Sequence, residues 1–413
     1  MQTRLADFIR DTPQGIEAER ILRSCVHCGF CLATCPTYQI LGDELDSPRG
    51  RIYLMKQYLE SGEVSAKTQL HLDRCLTCRN CETTCPSGVE YSKLLDIGRG
   101  LIEQQVPRSA AASAQRYLLR QTLTRPTLFN SLLALARAAR PFLPTSLKAK
   151  LPAAPPHSAR PAIRHKRHML LLEGCVQPGL APNINAAAAR LLDKIGISLV
   201  TTDKAGCCGA VSYHLNAQAE GLDFMRRNID AWWPQLDAGA EAIVMTASGC
   251  GVTVKEYGHY LQHDPAYSAK AARVSSLTRD LSEVVLAEAD ALRGLFPPSP
   301  ELRARVAFHA PCTLQHGQHI TGVVEALLSV AGFEVVTPSE ANLCCGSAGT
   351  YSILQANISN QLRERKLGHL QAQQPEIIAT ANIGCLTHLQ AGTATPVRHW
   401  IELLDDNCDK PLK

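Results

Sequence analysis

The chain has 413 residues, 45% of them hydrophobic, with a formal charge of +4, a size that points to two or three domains rather than one small core. No run approaches the roughly eighteen consecutive apolar residues of a membrane span, and the opening MQTRLADFIRDTPQGIEAER lacks an apolar signal core, so a cytoplasmic location is expected. Its 17 cysteines suit a reducing compartment if they ligate metal. Two 4Fe-4S cores with four thiolates each would add about −2 apiece and bring the protein near neutrality, which removes the mild basicity as an argument for nucleic acid.

The first expected unit, residues 1–105, carries two cysteine runs. They read Cys25-Val-His-Cys28-Gly-Phe-Cys31-Leu-Ala-Thr-Cys35-Pro36 and Cys75-Leu-Thr-Cys78-Arg-Asn-Cys81-Glu-Thr-Thr-Cys85-Pro86. Three cysteines at two-residue gaps let a tight loop wrap one cluster, and the proline redirects the chain so that the fourth cysteine reaches the other. The expected ligand sets are Cys25, Cys28, Cys31 and Cys85 for one 4Fe-4S cluster, and Cys75, Cys78, Cys81 and Cys35 for a second. Structural zinc would instead use separated pairs. Between the runs, Ser47 is expected to cap a helix with Pro48 in its first turn, leading into IYLMKQYLE. Arg49 and Arg51 there suit steadying anionic clusters, docking a partner, or a solvated helix start.

Residues 106–167 read as a helical and then proline-rich basic linker, ending in LPTSLKAKLPAAPPHSARPAIRHKRH. Within it, Thr127 to Leu143 is amphipathic, with Phe129, Leu132, Leu133 and Leu135 set against Arg137 and Arg140. Such a helix either lies on anionic lipid, a peripheral membrane contact, or packs one face against its own protein.

The remainder repeats itself, over residues 168–295 and 296–413. LLLEGC ends at Cys175 and AFHAPC at Cys312; each precedes a helical pattern, NAAAARLLDKIG or GVVEALLSVAG. A second apolar run and a double cysteine follow, Cys207-Cys208-Gly209 and Cys344-Cys345-Gly346, at the same interval from the first cysteine. A third run ends at Cys250 or Cys385. Alternating apolar runs and helical patterns predict an α/β region of two duplicated domains with mainly parallel sheets, preceded by a mainly α-helical ferredoxin-type domain. Four thiolates per half would hold a further cluster or another metal, form vicinal disulfides, or pack as small apolar groups. Cys408 is left over. No G-x-G-x-x-G follows a strand pattern and no P-loop occurs, so no flavin or nucleotide site is expected.

Two ferredoxin runs followed by paired Cys-Cys-Gly domains resemble the family that includes the Cys-Cys-Gly subunit of heterodisulfide reductase, the anaerobic glycerol-3-phosphate dehydrogenase electron-transfer subunit and the lactate utilisation proteins. LGDELDSPRGRIYL (Leu41 to Leu54), HLDRCLTCRNCETTCPSGV (His71 to Val89), AGCCGAVSYHLNAQ (Ala205 to Gln218), NIDAWWP (Asn228 to Pro234), LCCGSAGTY (Leu343 to Tyr351) and VRHWIELL (Val397 to Leu404) more closely resemble the iron–sulfur subunits of bacterial glycolate oxidases, over essentially the whole chain. The resemblance implies FAD on partner subunits that oxidise glycolate to glyoxylate. It further implies electron relay by this chain, which does not oxidise glycolate alone, and onward transfer to quinone or another acceptor at the cytoplasmic face of the inner membrane. Relays for lactate or glycerol 3-phosphate, and a thiol/disulfide reductase, are the competing readings. In the wider family a fifth cysteine often stands three residues after the fourth. Thr253 and His388 stand there, which weighs against a five-thiolate cluster and leaves four-cysteine sites, or His388 as an added ligand.

Overall fold

The computed structural model describes residues 1–142, 159–296 and 303–408. Helices Pro13–Ser24, Pro48–Ser61 and Tyr91–Gln105 form the frame of the N-terminal region, closing an apolar core that includes Ile21, Leu22, Met55, Leu59, Leu94 and Leu95. Thr12 and Ser47 cap the first two of these helices by accepting from the amides of Gly15 and Gly50. Each starts on a proline, whose fixed φ suits the first helical turn. Cys25 directly follows helix Pro13–Ser24, and Cys75 follows the short helix Ala66–Asp73 by one residue. Both cysteine runs therefore start from a rigid helix end.

Helices Ala110–Leu123 and Pro126–Ala138 continue the chain. The second buries Leu133, and Arg137 donates to the Gly179 carbonyl at 3.1 Å, so one face packs on the following domain. Leu128, Leu132, Leu135 and, just beyond, Phe142 (89% exposed) face outward. Most of the expected proline-rich basic stretch, from Leu143 to Ser158, lies outside the described residues.

The rest is two sheets of one design. Strands β1 (Arg167–Leu171), β2 (Ile197–Val200), β3 (Ile243–Met245) and β4 (Thr278–Asp280) lie in the order β2-β1-β3-β4. Strands β5 (Arg305–His309), β6 (Glu334–Val336), β7 (Ile377–Thr380) and β8 (Val397–His399) lie in the order β6-β5-β7-β8. Every pairing is parallel, as the alternation of apolar runs and helical patterns requires. The two halves share one core, in which Ile184, Leu191 and Val244 of the first meet Val306, Leu327 and Trp400 of the second. Polar ties cross the same boundary, with Arg190 paired to Asp405 at 2.5 Å and His399 bonded to the Thr246 carbonyl at 2.9 Å.

The helical N-terminal region sits against both halves. Arg79 pairs with Glu256 (2.6 Å) and His214 with Asp96 (3.2 Å) on one side. On the other, Asn80 donates to the Asn342 carbonyl (3.1 Å) and Tyr351 to that of Arg74 (3.0 Å).

Candidate metal centres

In each ferredoxin-type run the backbone turns left-handed at two equivalent steps, His27 (φ 57°) and Gly29 (φ 88°) in the first, Thr77 (φ 54°) and Arg79 (φ 62°) in the second. Alternation of this sort turns successive amides to one side and makes a concavity suited to an anion. One cavity is lined by Cys25, Cys28 and Cys31 together with Cys85, and also touches Cys81. The other is lined by Cys75, Cys78 and Cys81 together with Cys35. Burial pushes the Cys31 thiol up to about 11, and raises those of Cys25, Cys78 and Cys81 as well. Such thiols keep their protons unless a metal takes their place.

Of the polar surroundings of the second cavity, the sequence pointed only to Arg51. Arg51 is 1% exposed, so the solvated helix start does not apply to it. Its guanidinium donates to the His71 carbonyl (2.7 Å), Thr37 Oγ1 (3.1 Å) and Asp46 Oδ1 (3.2 Å). Thr37 Oγ1 lies 3.3 Å from Cys35 Sγ. Burial opposes the charge of Arg51, but Cys75, Tyr91, Cys35 and Asp46 outweigh it. Arg99 donates to the Cys75 carbonyl (2.8 Å), and the Tyr91 hydroxyl lies 3.6 Å from Cys75 Sγ. Arg49 borders the first cavity and is held by Glu44 at 2.8 Å.

The duplicated cysteines gather at the carboxyl ends of the strands, beside the point where the strand order reverses between β1 and β3, or β5 and β7. Ligand sites of open parallel sheets lie there because the loops diverge and leave a crevice. In the first half Cys207 interacts with Cys175 and Cys208, and Cys208 with Cys250. Thiol hydrogen bonds from Cys207 and Cys250 favour ionisation of Cys208 and disfavour their own. In the second half Cys312 Sγ is 3.8 Å from Cys344 Sγ, and Cys345 interacts with both Cys344 and Cys385.

The glycine of each motif has a steric cause. Gly209 (φ 96°) and Gly346 (φ 89°) are left-handed, and a Cβ would come within 2.6 Å of the Gly221 carbonyl oxygen or 2.5 Å of that of Ser359. The chain can therefore turn both cysteines inward only without a side chain there. His388 directs Nε2 to Ser359, 3.2 Å from its hydroxyl and 3.4 Å from its carbonyl oxygen. Thr253 donates to the Gly249 carbonyl (3.1 Å), and the Cys408 thiol to that of Leu404 (3.2 Å).

A residue missed in the sequence is His309, the last of β5. It is 1% exposed, neither ring nitrogen has a hydrogen-bond partner, and ligand atoms of His309, Cys345 and Cys385 lie within 4.8 Å of one another. Burial depresses its basicity and keeps the imidazole neutral. The signal was present in AFHAPC, as a histidine on a buried strand just before a cysteine.

The second ferredoxin-type cavity adjoins this second half. Leu76 and Cys344 belong to one apolar cluster, against which Cys78 and Cys312 pack. The first cavity lies nearer the surface, with Cys28 exposed and flanked by Val26 (66% exposed) and Phe30 (63% exposed).

These features define an iron–sulfur protein with a dicluster domain and a duplicated cysteine-rich α/β region. The model of the 4Fe-4S dicluster domain matches residues 21–89, and that of the Cysteine-rich domain matches residues 169–255 and 306–390. The chain is 54% identical to the glycolate oxidase iron-sulfur subunit of Escherichia coli K12, over 99% of this chain and all of that one. It is 31% identical to the probable glycolate oxidase iron-sulfur subunit of Bacillus subtilis, over 90% of this chain and 89% of that one. Lactate utilization protein A of Geobacillus kaustophilus is 27% identical over 54% of this chain and 92% of its own length. The chain belongs to the family of glycolate oxidase iron–sulfur subunits, and its role is iron–sulfur electron transfer.

Proposed function

We propose that this chain is the relay subunit of a glycolate-oxidising complex, taking electrons from FAD-bearing partner subunits that form glyoxylate and delivering them to quinone or another acceptor. The observation that carries this reading is the crossed lining of the cavities, with Cys85 beside Cys25, Cys28 and Cys31 in one and Cys35 beside Cys75, Cys78 and Cys81 in the other. Two 4Fe-4S clusters held there would store and release single electrons, whereas removing hydride from a hydroxy acid needs an organic cofactor. Cys25, Cys28, Cys31 and Cys85 are assigned to one, and Cys75, Cys78, Cys81 and Cys35 to the other. The glycolate reading is preferred to lactate because the relatives named for glycolate oxidase match nearly the whole chain.

Val26 and Phe30, exposed on the rim of the first cavity, suit docking of the flavoprotein. Purified without oxygen, the chain should hold at least about eight irons with matching sulfide. It should carry no flavin and leave glycolate untouched until the flavoprotein subunits are added. Zinc in place of iron, or stoichiometric flavin, would refute the assignment.

Delivery to a membrane acceptor is supported by the outward Leu128, Leu132, Leu135 and Phe142 beside the exposed Arg140. No helix among the described residues is long and apolar enough to cross a membrane, so contact would be peripheral. Co-sedimentation with vesicles containing anionic lipid should be strong for the parent and severalfold weaker for Leu132→Asp with Leu135→Asp. Equal sedimentation would remove this face from the membrane.

A further inference from the structure

We propose that His309 is a metal ligand in the second cysteine-rich half, meeting Cys345 and Cys385 on one metal atom and giving that half an imidazole–thiolate centre which the first half lacks. The inference rests on reading these domains as metal-binding and not on which donor or acceptor the complex serves.

Three observations carry it. His309 is enclosed at the end of β5, and both ring nitrogens lack a partner. A buried imidazole ordinarily bonds to a carbonyl, a carboxylate or water, because leaving its polar atoms unmatched is costly. Second, its ligand atom and the sulfurs of Cys345 and Cys385 are all within 4.8 Å of one another. Sulfur at about 2.3 Å and nitrogen at about 2.0–2.1 Å from one tetrahedral metal would stand roughly 3.5–3.8 Å apart, so a small contraction brings the three onto one atom. Third, the duplication supplies an internal comparison. His309 stands three residues before Cys312, and the residue three before Cys175 is Leu172, buried in an apolar cluster. The equivalent space therefore tolerates an apolar side chain, and its occupation by an unpaired imidazole calls for another cause.

His388, the histidine suggested by the family resemblance, turns its Nε2 to Ser359. His309 is instead grouped with the thiols. Neutral imidazole beside thiolates suits a thiophilic transition metal, either a single zinc ion or the histidine-bound iron of a cluster.

The experiment uses the full chain, purified without oxygen and labelled with nitrogen-15 histidine. Zinc, iron and sulfide are counted first. X-ray absorption at the zinc edge reads the ligands of a zinc ion, and nitrogen hyperfine coupling in the reduced protein reads those of a cluster iron. Either arm should reveal one histidine nitrogen in the parent. His309→Leu should abolish it and weaken retention of that metal against a chelator by at least about tenfold, the scale set by loss of a mere supporting contact. His309→Cys should keep the metal and still lose the nitrogen, which separates loss of a ligand from loss of the fold. Absence of a histidine nitrogen in the parent, its persistence in both variants, or no metal beyond the dicluster domain would overturn the proposal.

Discussion

Cys35→Ser should cost the chain the cluster of the other run, that of Cys75, while the cluster of Cys25, Cys28 and Cys31 survives. Cys35 lines the cavity of Cys75, Cys78 and Cys81, whereas Cys85 lines that of Cys25, Cys28 and Cys31. The iron count should fall by about four, since serine is a poor substitute for a thiolate and Cys35 lies in a buried setting with Thr37 and the Asp46 carbonyl. Double variants make the test decisive, because two substitutions at one centre should not add whereas substitutions at separate centres should. Cys35→Ser with Cys75→Ser should lose about four irons, and Cys35→Ser with Cys25→Ser about eight. The opposite pattern would mean that each run keeps its own four ligands.

What the sequence made legible was local or periodic. Each cysteine loop is fixed by spacing within a dozen residues, and its left-handed turns at His27 and Gly29, or Thr77 and Arg79, arise inside that span. The parallel strands could be expected because apolar runs alternate with helical patterns, and the duplication because that alternation and its cysteines occur twice. The helix expected from Ser47 and Pro48 is present as Pro48–Ser61. The amphipathic segment from Thr127 fits both of its readings in part, since Leu133 packs inward while Leu132 and Leu135 face out.

The residues that escaped notice act through contacts between distant parts of the chain. Arg99 reaches the Cys75 carbonyl from the last helix of the dicluster region, and Tyr91 approaches the same cysteine. Nothing near either in sequence distinguishes them from ordinary helix residues. His309 belongs with one cysteine of a later loop and one of the helix Ile383–Gln390, and only the folded crossover brings them together. The joining of the two repeated halves through a single core was likewise hidden, because a duplicated pattern says how each half is built and not which faces meet.

Arg51→Ala should destabilise the dicluster region by about 3 kcal/mol, the lower end of the range for breaking a buried ion pair by removing one partner. The lower end applies because Asp46, fully buried, would still have Arg74 at 2.8 Å. Arg51→Lys should restore part of the loss, since the charge returns but one ammonium cannot reproduce a fork that reaches His71, Thr37 and Asp46 together. The same substitutions bear on electron transfer. Arg51 borders the cavity of Cys35 and Cys75, and a buried positive charge there favours the more negative, reduced state of a cluster. Arg51→Ala should therefore make that cluster harder to reduce, shifting its potential to more negative values, and should leave the Cys25 cluster nearly unchanged. Arg51→Lys should retain most of the parent potential, because the point charge remains. Denaturant unfolding followed with potentiometric titration would read both effects in one set of variants. An unfolding midpoint equal to the parent's would show that the buried network does not hold the domain together, and an equal shift of both potentials would show that Arg51 does not act on its neighbouring cluster in particular.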